Sequence, residues 1–165
     1  MTDQISPAIV IDNGSGVLKA GFSGDDAPRS CIPNMIGRPI EDRLMVGMDV
    51  NDIQIGHNAQ KLKQVLNCEL PIHKGRIVNW EQMENVWHHT FYSELKMAPE
   101  DHRCLMAESP LESKEKREKL AEVMFENFNF PYFYLSVQQV SFSTRPWPPM
   151  LRGKPRAWCW ILAMA

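Results

Sequence analysis

The feature that most constrains this chain is a short turn of small and polar residues between two apolar runs near its start. The run Ile9–Ile11 ends in Asp12, the turn reads Asn13-Gly14-Ser15-Gly16, and a second run, Val17–Phe22, carries one lysine. Apolar runs on both sides of an Asn-Gly pair predict a β-hairpin. The two glycines permit the positive φ angles that tight turns often need. The sequence therefore predicts two neighbouring strands joined by this turn.

The same turn has the composition of an anion-binding loop. Such turns aim successive backbone N–H groups into one concavity, which suits a phosphate. Ser15 adds a hydroxyl group, Lys19 adds a positive charge, and Asp12 is placed to hold a hydrated divalent cation beside the phosphate. The alternative is an ordinary Asn-Gly hairpin turn without a ligand, because short glycine motifs often occur by chance.

Further segments place the hairpin in a family context. In chain order they are Ala20–Arg29, Gly37–Pro39, Met45–Met48, Asn79-Trp80, Trp87–Tyr92, Ala98–Glu100, Glu108–Leu111, Arg117–Lys119 and Met124–Asn129. The hairpin resembles the first phosphate-binding loop of actin, and these segments resemble the actin segments that follow it, nearly without gaps from Ala8 to Val140. The chain is thereby identified as a member of the actin and actin-related family, and not of the related hexokinase and sugar-kinase families.

The resemblance implies an α/β fold, the actin-like ATPase fold of the sugar-kinase superfamily, with only the first of its two lobes in this chain. That lobe has a mixed five-stranded sheet with packed helices and a small inserted subdomain at about residues 35–70. We expect residues 1–140 to form the lobe and residues 141–165 to form an irregular tail outside the family pattern.

The residue patterns predict the elements of this lobe separately. They predict strands over 8–12, 17–22, 29–34 and 104–107, a strand that starts at 132, and helices over 80–92 and 113–128. Apolar residues at helical spacing predict the buried faces of the two helices. The set is Met83, Val86 and Trp87 in the first helix, and Leu120, Val123, Met124 and Phe128 in the second.

The resemblance also implies a nucleotide site. Asp12, Asn13, Gly14, Ser15, Gly16 and Lys19 match the residues that bind the phosphates of ATP, with Mg²⁺ or Ca²⁺ held by Asp12 through water. Gln138 matches the glutamine that positions the water attacking the γ-phosphate, in a family of weak ATPases whose hydrolysis is coupled to polymerisation. Lys74 stands where the family has a histidine near the phosphates, and its side chain either approaches them or extends into water.

A methionine-rich segment matches the family's filament-contact loop. It comprises Leu44, Met45, Val46, Gly47 and Met48, and in actin this loop inserts into a cleft of the neighbouring subunit. An apolar, flexible tip suits an adaptable protein contact. The resemblance favours actin or actin-related subunits and actin-binding proteins as partners. The alternative is a strand–turn–strand with Met45 and Met48 folded inward.

Composition and charge exclude some other classes of function. The formal net charge of −2 gives no basis for nucleic-acid binding. No apolar run approaches the roughly 20 residues of a membrane span, so we expect no membrane partner. Four isolated cysteines without a Cys-x-x-Cys pair are typical of reduced thiols in a cytosolic protein. Together with the resemblance, these features predict a cytoplasmic, cytoskeletal protein.

The resemblance stops abruptly after Val140. The segment 141–149 has no regular period and is rich in proline. Reading the codons of Gly153–Ala165 from each third base permits Lys-Thr-Thr-Gly-Leu-Val-Leu-Asp-Thr-Gly-Asp-Gly, which resembles the second phosphate loop of actin. The hypothesis is an out-of-frame tail. The alternative is a genuine divergent tail, and transcript sequence across the Val140 codon distinguishes the two.

Three functional classes follow from this organisation. The first is an actin-like cytoskeletal protein that binds ATP and associates with filaments, truncated and impaired in this chain because it lacks the second phosphate loop and the second lobe. The second is a non-enzymatic fragment that binds or regulates actin. The third is a non-functional frameshifted product. On this basis we expect no submicromolar binding of MgATP by the 165-residue chain.

Overall fold

The computed structural model describes residues 6–40, 53–109 and 112–137. Three sequence predictions therefore lie outside the described residues. They concern the tip Leu44–Met48, Gln138 and the tail 141–165.

The described residues form short strands and helices in a mixed order. The strands are β1 (Ile9–Asn13), β2 (Val17–Phe22), β3 (Ser30–Pro33), β4 (Ile36–Pro39), β5 (Gln54–Ile55), β6 (Leu66–Glu69), β7 (Ile72–His73), β8 (Arg76–Ile77), β9 (Arg103–Glu108) and β10 (Tyr132–Val137). The α-helices are α1 (His57–Lys61), α2 (Trp80–His88) and α3 (Lys114–Glu122). Wider π-helical turns continue α2 over His89–Glu94 and α3 over Val123–Asn127, and Pro99–Asp101 forms a 3₁₀ turn.

The largest sheet of the described residues has five strands in the order β10-β9-β1-β2-β3. β9 runs parallel to β1 with Ile9 opposite Cys104, and β10 runs parallel to β9 with Tyr132 opposite Arg103. Neighbouring strands joined by three residues, as β1 and β2 are, run antiparallel. The sheet is therefore mixed, which confirms the predicted α/β class and its five-stranded sheet.

Two smaller sheets lie between β3 and α2 in the chain. β4 pairs antiparallel with both β5 and β6, and α1 lies between β5 and β6 in sequence. β7 and β8 form a two-stranded hairpin. Gly37 allows β4 and β6 to approach, since a Cβ built on it meets Leu66 Cδ1 at 2.8 Å.

The chain divides into two compact units. The first unit draws on Met1–Asp12, Ala20–Arg29 and Ala98–Ala165, and the second unit on Asn13–Lys19 and Ser30–Met97. Each unit has buried apolar residues of its own. In the first unit they include Ile9, Ile11, Phe22, Met106, Leu120, Val123, Met124 and Phe128, and in the second unit Leu18, Ile32, Ile36, Ile72, Met83, Val86, Trp87 and Phe91.

The predicted inner faces of both long helices are confirmed. Met83, Val86 and Trp87 in α2 are each 0% exposed. The predicted set on α3 and its continuation is buried as well. The cysteines differ from one another: Cys104 is buried, which raises the pKa of its thiol, whereas Cys31 is exposed.

Candidate functional site

Asp12, the acidic residue of the predicted hairpin, lies near the end of β1, directly before the turn. Ile9 and Ile11 anchor β1 with fully buried side chains, and Asp12 follows at 8% exposure. Asp12 lies opposite Ala107 in the parallel pairing of β1 with β9. The carboxyl group therefore lies near the end of a buried strand.

Asn13, the first residue of the turn, is held by a buried tryptophan. Trp87 Nε1 donates to Asn13 Oδ1 at 3.2 Å, and the Trp87 side chain is 0% exposed. The helix that carries Trp87 starts at a well-formed cap, where the Asn79 side chain accepts from the backbone N–H of Gln82 at 3.2 Å. A buried indole N–H needs a partner, and Asn13 supplies it.

Ser15 is held by a second tight turn. The backbone N–H of Gly75 donates to Ser15 Oγ at 2.8 Å. Gly75 follows Lys74 in the two-residue loop between β7 and β8, with φ of 77° and 51° respectively. Positive φ at both positions is typical of the loops that match strand twist. Lys74 is exposed, in agreement with the alternative in which its side chain extends into water.

The two glycines of the turn are held by one asparagine. Asn34 Nδ2 donates to the carbonyl of Gly14 at 2.9 Å, and the backbone N–H of Asn34 donates to the carbonyl of Gly16 at 2.9 Å. Asn34 follows β3 directly and is 0% exposed. Each of the four turn residues thus has a defined hydrogen-bond partner within the second unit.

The predicted reason for the glycines is wrong. Neither Gly14 nor Gly16 has φ in the left-handed region. Gly14 is required by close approach instead, because a Cβ built on it lies 2.4 Å from the carbonyl oxygen of Val17. A Cβ on Gly16 meets no atom within 4 Å. Of the two glycines in the turn, only Gly14 is therefore sterically required.

The hydrogen bonds of the turn fix the direction of two of its backbone amides. The carbonyls of Gly14 and Gly16 accept hydrogen bonds from Asn34. The N–H groups that follow them, of Ser15 and Val17, therefore point away from Asn34. Ser15 Oγ accepts one hydrogen bond and keeps its own hydrogen as a donor. These donors fit a phosphate group.

The charged residues of the hairpin lie on its two strands. Lys19 lies in β2 with its side chain partly exposed, and Asp12 lies near the end of β1. Both residues also take part in other interactions. Within residues 6–40, 53–109 and 112–137, no group of three or more His, Cys, Asp or Glu side chains is arranged to hold a metal ion. A single carboxylate suits a cation that keeps most of its water.

A comparison with family models matches most of the chain, including the hairpin and its anchors. The model of the family described as Actin matches residues 3–144 of the 165. The chain belongs to the actin family. The matched residues of this actin-family chain include every described helix and strand. The match ends at residue 144, close to Val140, where the sequence resemblance stops.

Three anchors of this actin-family hairpin, Asn34, Gly75 and Trp87, were not among the predicted site residues. Asn34 carries no local signal, because its contact with Gly14 spans 20 residues. The Lys74-Gly75 pair between two short runs is recognisable in the sequence as a hairpin turn, but the hydrogen bond from Gly75 to Ser15 is not recognisable there.

None of the helices in the described part of the chain has the length and apolar character that a membrane span requires.

Proposed function

We propose that this chain is an actin-like cytoskeletal protein of the cytoplasm whose turn Asn13–Gly16 binds the phosphates of ATP. The observation that carries the proposal is the anchoring of all four turn residues through a side chain or a carbonyl. This anchoring directs backbone amides away from the protein groups that hold the turn.

The other residues of the hairpin complete the proposed site. Lys19 supplies a positive charge for the phosphates, and the Ser15 hydroxyl donates one more hydrogen bond. Asp12 holds Mg²⁺ or Ca²⁺ through water, and such an ion neutralises phosphate charge when bound. Gln138, which lies outside the described residues, matches the family glutamine that positions the attacking water, and we expect no ATP turnover above background by this chain.

Replacement of Lys19 by alanine tests the phosphate site. We expect this change to weaken binding of sodium tripolyphosphate, a triphosphate without adenosine, by at least about tenfold, because a charge-assisted contact is lost. ¹⁵N NMR titration of the 165-residue chain at millimolar tripolyphosphate measures the shifts of the Ser15 and Gly16 amides. His88→Ala is the matched control, since His88 lies in α2 and packs against Tyr92 with ring centroids 4.5 Å apart.

The outcomes of this titration are distinct. Saturable shifts of the turn amides in the parent chain and in His88→Ala, with a large loss in Lys19→Ala, support the proposal. Equal affinity in Lys19→Ala and the parent chain contradicts the role of Lys19. No shift of any turn amide in the parent chain contradicts the phosphate site itself.

The proposed partner is a subunit of an actin filament, contacted through Leu44–Met48. We expect Met45→Asp with Met48→Asp to abolish co-sedimentation with filaments of full-length actin, because two carboxylates replace apolar contact groups. Val78→Asp is the control, since Val78 is another apolar residue on the surface, 63% exposed. Unchanged co-sedimentation of the double variant shows that the tip is not the contact.

A further inference from the structure

Asn34 joins two carbonyls of the turn with two of its own donors. Its side-chain amide binds the carbonyl of Gly14 and its backbone N–H binds the carbonyl of Gly16, each at 2.9 Å. The residue is 0% exposed, so neither contact competes with solvent. Ser15 lies between the two carbonyls, and one buried residue therefore spans the centre of the turn.

These two contacts set the direction of two backbone amides. In a trans peptide the C=O and the next N–H lie in one plane and point in opposite directions. The described residues contain no cis peptide bond. With the carbonyls of Gly14 and Gly16 turned towards Asn34, the N–H groups of Ser15 and Val17 point away from it.

The buried side chain of Asn34 has a hydrogen-bond acceptor that is unsatisfied among the described residues, which destabilises the fold and which packing does not explain. Among the described residues no group donates to its Oδ1, which is buried. A buried acceptor without a partner destabilises a protein, and an apolar side chain of similar size, such as leucine, avoids that cost. The donor Nδ2 is the part of the side chain with a partner, and that partner is Gly14.

We propose that Asn34 is a positioning residue, which holds the Ser15 and Val17 amides in the direction that binds a phosphate. This role rests on the proposed phosphate site of the turn. The side-chain contact sets the peptide between Gly14 and Ser15, and the backbone contact sets the peptide between Gly16 and Val17. Asn34 itself does not touch the phosphate.

Asn34→Leu separates positioning from stability. The variant removes the donor to Gly14 together with the unsatisfied Oδ1, so we expect its melting midpoint to stay within about 4 °C of the parent chain. We expect sodium tripolyphosphate to bind about tenfold more weakly in ¹⁵N NMR titration, because the Ser15 amide is no longer held. Thr90→Val is the matched control. It removes another buried hydrogen bond of the second unit, from Thr90 Oγ1 to the carbonyl of Val86 at 2.8 Å.

Amide hydrogen exchange without ligand decides the inference independently of phosphate binding. Asn34→Leu keeps the backbone N–H that holds Gly16, so the exchange rate and chemical shift of Ser15 change while those of Val17 stay close to the parent values. Unchanged Ser15 exchange overturns the positioning role, whether or not tripolyphosphate binds. If the parent chain binds no tripolyphosphate but Ser15 exchange changes as expected, the phosphate site is refuted and the hold on the turn stands.

A second variant controls for poor packing of the leucine side chain at position 34. Asn34→Ala removes the same donor without adding a branched side chain, and the same loss of affinity is expected. Tripolyphosphate affinity equal to that of the parent chain in a folded Asn34 variant contradicts the proposal. Unfolding of both variants assigns Asn34 to stability alone and contradicts it as well.

Discussion

Replacement of Gly14 by alanine is expected to abolish phosphate binding and to lower the free energy of unfolding by about 1–3 kcal/mol. The new Cβ lies 2.4 Å from the carbonyl oxygen of Val17, a backbone atom that cannot move without deforming the turn. The deformation also strains the contact between Gly14 and Asn34. Urea denaturation measures the loss of stability, and tripolyphosphate titration measures the loss of binding.

The second glycine of the turn is the control for the first. A Cβ on Gly16 meets no atom within 4 Å, and its φ lies outside the left-handed region. Gly16→Ala is therefore expected to change stability by no more than about 0.5 kcal/mol or to raise it slightly. Equal stability and equal binding in the two variants contradict the assignment of close approach to Gly14 alone.

Truncation of Trp87 to alanine is expected to have the largest effect on stability, a loss of about 3–5 kcal/mol. Its side chain is wholly buried in the second unit, and its indole N–H holds Asn13. Since whole domains are stable by only about 5–15 kcal/mol, this loss removes a large part of the total. A urea midpoint close to that of the parent chain contradicts the prediction.

Two further variants divide the role of Trp87. Trp87→Phe keeps an aromatic ring in the core but removes the indole N–H that donates to Asn13 Oδ1, so we expect a cost of about 1–3 kcal/mol and a shifted Asn13 side-chain amide in NMR spectra. Tyr92→Ala is the control on the continuation of α2, because Tyr92 is 47% exposed. We expect that change to alter stability by no more than about 0.5 kcal/mol.

Local patterns were sufficient for most of the elements. The predicted helix 80–92 is observed as α2 and its π-helical continuation to Glu94, with Met83 and Val86 buried as their spacing required. The predicted strand 104–107 is observed as β9, one residue longer at each end. These predictions succeed because apolar periodicity reports which side of an element faces a core.

The glycines of the turn show where local reasoning fails. Composition indicates that Gly14 and Gly16 are permissive residues, but it does not say which property of glycine is used. The steric constraint at Gly14 comes from the position of one carbonyl, at Val17, after the turn has closed. A left-handed φ and a close approach of backbone atoms both require glycine, so the sequence looks the same in either case and only the backbone geometry distinguishes them.

The sequence by itself determined the hairpin, the placement of Asp12 and Lys19 on its two strands, and membership of the actin family. Only the tertiary structure decided what holds the turn between them. Its anchors Asn34, Gly75 and Trp87 stand 20, 60 and 74 residues from their partners in the chain. Strand and turn preferences act between near neighbours, whereas the partner of a buried donor is chosen by packing, which brings distant residues within hydrogen-bond distance.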